Sequence, residues 1–192
     1  MEISALKEKA KASLATNWGT AILVNIVVIL ISAVVCLMTC GLGILIIPVF
    51  SFGLASYFQF LVRSGYAPFG TVFSDTFSNF LKKWCASLLQ YLYISLWSLL
   101  FFIPGIVKSY SYAMTTFILL DNPGMGPNEA ITKSREMMHG YKWKLFCLDL
   151  SFFPLHLLAC FTLGLPYLYV IPMMNASRAA FYEELKQIKG TY

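Results

Sequence analysis

Asn128-Glu-Ala-Ile-Thr-Lys-Ser-Arg-Glu-Met-Met-His-Gly140 leads through Lys142-Trp143-Lys144 into an apolar run that lasts to about Leu163, and this stretch decides the fold. The apolar residues of the first segment share one helical face, so it reads as an amphipathic helix. The run after Trp143 is long enough and apolar enough for a membrane helix. Gly164-Leu-Pro166 breaks it, and a second apolar segment carries Ile171-Pro172 before ending in Arg178-Ala-Ala-Phe-Tyr-Glu-Glu184. The order is amphipathic helix, Trp, membrane helix, break, Ile-Pro, second helix.

Working outward, the same order recurs twice. Residues 2–16 place Ile3, Leu6, Ala10 and Leu14 on one stripe opposite Glu2, Lys7, Lys9 and Lys11. Trp18 follows, then an uncharged run from Gly19 to Met38, a turn at Thr39-Cys-Gly-Leu-Gly43, and a run to Val62 that carries Ile47-Pro48. A cleaved signal peptide is the rival reading of this start. The polar lead is too long for one, and no Ala-x-Ala site follows, so the helix is expected to be retained. Residues 69–80 set Phe69, Phe73, Phe77 and Phe80 against Thr71, Ser74, Asp75 and Ser78. Lys82-Lys83-Trp84 then opens a run to about Phe102. Ile103-Pro104-Gly105 breaks it, and a segment of 15 residues, 106–120, reaches only ~22 Å, short of a full crossing. It is expected either to span or to be partly re-entrant.

The Trp residues opening these runs are separated by 66 and 59 positions, and the Ile-Pro prolines by 56 and 68. From Trp to Pro the gaps are 30, 20 and 29, so the first and third units match and the middle one is about ten residues shorter. The expected fold is all-α: one integral membrane domain over 1–192, about six crossings in three pseudo-repeated hairpins, each preceded by an interfacial amphipathic helix. The units are 2–63, 68–120 and 127–187.

Composition agrees with lipid as the solvent. The chain is 58% hydrophobic and 12% charged with mean hydropathy +0.70, about half the charge of a soluble domain. The net charge of +5 comes from residues scattered between apolar runs, which fits lipid headgroups and topology rather than nucleic acid. Segments 1–17, 63–83, 121–144 and 183–192 hold twelve of the fourteen Lys and Arg, and the opposite turns hold none. Both termini are therefore expected on the cytoplasmic side. The cysteines Cys36, Cys40, Cys85, Cys147 and Cys160 form no Cys-x-x-Cys and read as small buried apolar side chains, with a Cys40–Cys160 disulfide the less favoured alternative.

Ile103-Pro-Gly-Ile-Val-Lys108, Asp121-Asn-Pro, Asn128-Glu-Ala-Ile, Ser134-Arg-x-Met-Met-x-Gly140, Lys142-Trp143 and Leu148-Asp-Leu-Ser-Phe152, with the ending Ala180-Phe-Tyr-Glu-Glu-Leu185, together resemble the bacterial membrane-protein family called domain of unknown function 975. A more distant likeness is to the membrane domain of some bacterial glycerophosphodiester phosphodiesterases; their catalytic domain has no counterpart here. The resemblance implies a multi-pass protein of the bacterial cytoplasmic membrane and supplies no catalytic residues.

The sequence itself holds no His-Glu-x-x-His, Gly-x-Ser-x-Gly or phosphate loop. No enzyme, cofactor or metal is expected, and His139 reads as a solvated interface residue. The candidate intramembrane polar cluster is Asn25, Gln90, Lys108, Asp149, His156 and Arg178. Asn25, Gln90 and Asp149 fall 7, 6 and 6 residues after their Trp. Asp149, ~9 Å above the cytoplasmic interface, and Arg178, ~7–8 Å above it, are expected to pair. Lys108 is expected much deeper, near His156. The candidate lipid contacts are Lys7, Lys11, Trp18, Lys83, Trp84, Lys133, Arg135, Lys142 and Trp143. The favoured function is non-enzymatic: action through membrane lipids, a membrane-active peptide or another membrane protein, in membrane homeostasis or immunity to such peptides. The alternative is a small transporter or channel with a polar site between the repeats.

Overall fold

The structure, a computed structural model, describes residues 2–39, 47–100, 102–162, 164 and 166–190. Within them lie eleven helices and no strand: α1 (Ile3–Leu14), α2 (Trp18–Met38), α3 (Ile47–Ser64), α4 (Thr71–Phe77), α5 (Phe80–Leu100), α6 (Phe102–Tyr112), α7 (Thr115–Asp121), α8 (Pro127–Met137), α9 (Lys142–Leu150), α10 (Phe153–Phe161) and α11 (Tyr167–Lys189). The expected turn over 39–43 is described only at Thr39, so Cys40 lies outside the described residues. So do residues 163 and 165 of the turn expected at 162–166.

Among the described residues, two stretches are long and apolar enough to cross a membrane: Trp18–Met38, of mean hydropathy 3.0, and Lys142–Phe161, of mean hydropathy 1.5. Only 22% of each is buried within the protein. A core helix of a soluble protein of this hydropathy would be covered nearly all round. Here Leu23, Ile29, Leu30, Val34 and Leu37 of α2, and Leu157, Leu158 and Phe161 of α10, face outward.

α3 and α11 form the centre and pack on each other. Ala176, Ala179 and Ala180 of α11 are completely buried, and small side chains let neighbouring helices approach closely. α1 packs on α11, α4 on α3, and α8 on α7 and α5. The apolar stripe of α1 (Leu6, Ala10, Leu14) is 0–1% exposed and joins the core. Ala130, Ile131 and Met137 of α8 are likewise buried, as are Val72 and Thr76 of α4. These apolar faces are taken up by protein. Gly53 marks the closest approach: a Cβ there would collide with the Val72 carbonyl and the Thr76 hydroxyl of α4.

Two expected segments are broken. The run 106–120 is not one helix; α6 ends at Tyr112 and α7 begins at Thr115. The cause is a side chain inserted into the hydrogen-bond ladder. Ser134 of α8, fully buried, accepts the Met114 N–H at 3.2 Å and donates to the Ser111 carbonyl at 2.9 Å. The run after Trp143 divides between α9 and α10 at Ser151-Phe152. Pro154, in the first turn of α10, has no N–H to continue the ladder. Lys7 covers this break, donating to the Ser151 carbonyl at 3.4 Å with its ammonium 4.6 Å from the Phe152 ring centre.

Residues 69–80 yield only the seven residues of α4, because Ser78 turns extended and Asn79 adopts φ +50°. Asn tolerates that left-handed conformation better than most residues. The second and third Ile-Pro pairs differ in register. Pro48 is the second residue of α3 as described, Pro104 the third of α6, and Pro172 the sixth of α11.

Candidate functional site: a polar cavity beside an apolar groove

Asp149 and Arg178 meet. Nη2 and Nε of Arg178 donate to the two carboxylate oxygens of Asp149 at 2.7 and 3.2 Å. Two parallel contacts of this kind fix orientation as well as charge. α9 presents Asp149 before its break and α11 presents Arg178 among its buried alanines, so each partner stands on a helix. The Asp149 carboxylate is mostly covered, 14% exposed, whereas the Arg178 side chain is 43% exposed.

The pair lines an open cavity of about 610 Å³ between α3, α5, α6, α7, α9 and α11, with Gln90, Asn175, Ser51 and Thr116 as further polar groups. Asn25 reaches it indirectly. Its Nδ2 donates to the Ala21 carbonyl at 2.7 Å, and its Oδ1 accepts from Asn175 at 3.4 Å. Gln90, Asp149, Arg178 and, through Asn175, Asn25 are thus brought together. A second cavity of about 620 Å³ adjoins, lined by Val28, Ile29, Pro48, Phe50 and Leu88 and by little that is polar. Ser51, Leu54 and Tyr91 line both. The result is a groove apolar at one end and charged but internally paired at the other.

Lys108 and His156 are not part of it. Lys108 sits 4.4 Å over the Trp97 ring and shares a different pocket with Arg135. Its expected depth assumed an unbroken helix to Asp121, and the break at 113–114 turns α6 toward α8. His156 packs its ring 5.6 Å from Tyr167. Among the expected lipid contacts, Lys7 is occupied at the α9–α10 break. Lys83, 6% exposed, donates to the Asp75 carbonyl and, at 3.0 Å, to the Ser78 hydroxyl. Lys83 is thus enclosed by the protein, while Lys7 is partly covered. Trp18 stacks on Tyr169 at 4.8 Å, so it lies toward the start of α11 and not beside that helix's polar end. Trp84, Lys133 and Lys142 are partly covered; Lys11, Arg135 and Trp143 are exposed, Trp143 at 73%.

Sequence reasoning missed the densest polar cluster. Arg63 at the end of α3 donates through Nη2 to both oxygens of Asp121 at 2.8–2.9 Å and through Nε to Glu183 at 2.8 Å. Asp121 closes α7 and also accepts from Gln59 (3.0 Å), Tyr182 (2.9 Å) and Lys186 (2.6 Å). Burial alone would raise the Asp121 pKa, but the hydrogen bonds from Arg63, Lys186 and Tyr182 outweigh it and hold it below the ordinary carboxylate value. The available signal was positional: Arg63, Asp121 and Glu183 each stand where the last apolar segment of a unit ends.

Residues 100–189, a little under half of the chain, match the family described as Protein of unknown function (DUF975). The match covers the cavity's Asp149 and Arg178 and the cluster's Asp121 and Glu183, and it supports the resemblance read from residues 103–185. No curated protein and no solved structure matched the chain.

Proposed function

We propose that this is a multi-pass protein of the bacterial cytoplasmic membrane that acts without catalysis, by holding a membrane amphiphile in the paired groove. The observation that carries the reading is the junction at Ser51, Leu54 and Tyr91 between an apolar cavity and one ending in Asp149–Arg178. An acyl chain suits the first. A headgroup that both donates and accepts hydrogen bonds suits the second, because the ion pair cancels most net charge while Arg178 stays accessible. Such binding would serve membrane homeostasis, or immunity to a membrane-active peptide competing for the same groove.

The multi-pass topology is part of this proposal. The ends of α3, α7 and α11 meet in the Arg63–Asp121–Glu183 cluster, which supports placing those three chain ends on one side, with the termini cytoplasmic. A threefold repeat is supported by element order: α1, α4 and α8 each precede a long apolar stretch and pack on the last helix of a neighbouring unit. Transport is the second reading, favoured by the polar lining of the cavity that holds Asp149 and Arg178.

The test fills the groove. Leu54→Trp, at the junction, is expected to abolish co-purification of the bound amphiphile, measured by mass spectrometry of extracted lipid, while helical content by circular dichroism is unchanged. An unchanged lipid profile in the folded variant contradicts the proposal.

A further inference from the structure

We infer a second ligand site, for the phosphate of an anionic phospholipid, in the pocket between the α5–α6 hairpin and α8. This pocket of about 240 Å³ is lined by Tyr93, Trp97, Lys108, Tyr112 and Arg135 and, among the described residues, by no carboxylate. Lys108 and Arg135 both line it, so two positive charges face the same pocket, with Lys142 beside Arg135 in the neighbouring depression. Among the described residues, neither Lys108 nor Arg135 forms an ion pair, whereas Arg63, Arg178 and Lys186 are each paired with Asp121, Glu183 or Asp149. Glu136 lines the neighbouring depression with Arg135 and Lys142 and makes no salt bridge to either.

Like charges gathered without a counter-charge are costly unless an anion completes them. The donors suit phosphate: a guanidinium, an ammonium resting on Trp97 at 4.4 Å, and phenols at the rim. Tyr93 is oriented by its hydrogen bond to Asn128 at 3.1 Å. Leu96, Leu99, Ile103 and Val107 are 53, 86, 74 and 45% exposed on the adjoining face of the hairpin. An apolar surface running away from a phosphate pocket suits a lipid and serves a free phosphate not at all. Trp and Tyr beside Lys and Arg are also the residues that anchor a protein at headgroup level. The inference rests on membrane insertion but not on the groove proposed above.

Equal amounts of phosphatidylglycerol and phosphatidylcholine are offered to the detergent-purified protein, and bound lipid is read by native mass spectrometry. Wild type is expected to favour phosphatidylglycerol on the order of tenfold, given the contribution of each basic residue near an anionic surface. Lys108→Gln with Arg135→Gln removes the preference, and Lys9→Gln, on α1, keeps it. The single change Arg135→Gln, at an exposed position, reduces it without endangering the fold. Equal binding of both lipids by wild type, or full preference in the double variant, overturns the site. Inorganic phosphate displacing the lipid at comparable concentration overturns the commitment to a lipid. Alkaline extraction of membranes separates this from the underlying reading. If the chain washes off, membrane insertion fails; if it stays and shows no preference, only this site fails.

Discussion

At the scale of single residues, the balance between burial and pairing determines what each charge does. Removing one member of the Asp149–Arg178 pair leaves the other partly covered without a partner. Asp149→Asn and Arg178→Gln are each expected to lower stability by about 1–2 kcal/mol, less than for a fully buried pair because Arg178 is 43% exposed. The double change should cost clearly less than the sum, as thermal unfolding in detergent would show; additive losses would mean the contact contributes nothing. Asp121 gives a pH prediction. Its pKa is lower in the folded protein than in the unfolded chain. Its contribution is therefore complete above the unfolded value of about 3.9 and is lost as pH falls through the lower folded value. The stability difference between wild type and Asp121→Asn should stay constant from neutral pH to about pH 5 and shrink below about pH 4. A difference that grew on acidification would contradict the assignment. The Asp149–Arg178 pair was legible because both residues stood at equal helical distance from a common end. The Arg63–Asp121–Glu183 cluster was not. Its members are 58 and 62 positions apart in sequence, and each alone reads as an ordinary helix-end charge.

At the scale of elements, the sequence made the order of helices plain and hid their breaks. The apolar pattern continues through 113–114 and past 151–152, where Ala113, Met114 and Phe152 are as apolar as a helix requires and Ser151 stands alone. What interrupts the first helix is Ser134, 20 residues away from Met114 in the chain. Ser134→Ala should therefore cost about 1–2 kcal/mol, because it strands the Met114 amide and the Ser111 carbonyl in a buried place. Increased hydrogen exchange confined to 110–118 would accompany it; protection unchanged there would show the serine to be incidental. The α3–α4 contact is tested by Gly53→Ala. The added Cβ meets a backbone carbonyl that cannot move without shifting α4, and a loss of about 1–3 kcal/mol is expected. The amphipathic patterns of α1 and α8 were read correctly as helices with one apolar face. Pattern alone does not distinguish a face that meets lipid from one that meets protein.

For the whole molecule, the central claim is that lipid is the solvent of the outward-facing apolar side chains. Trp18–Met38 and Lys142–Phe161 are only 22% buried within the protein, and in water their exposed leucines, isoleucines and phenylalanines would form an apolar patch far larger than a soluble monomer keeps. The most direct measurement is collisional relaxation of single spin labels placed at Leu30 on α2 and Leu157 on α10, compared with Gln187 near the end of α11, in reconstituted vesicles. The account predicts that molecular oxygen, which concentrates in hydrocarbon, relaxes the labels at 30 and 157 more strongly than a water-soluble nickel chelate does, with the order reversed at 187. Stronger relaxation by the nickel chelate at both 30 and 157 would contradict it.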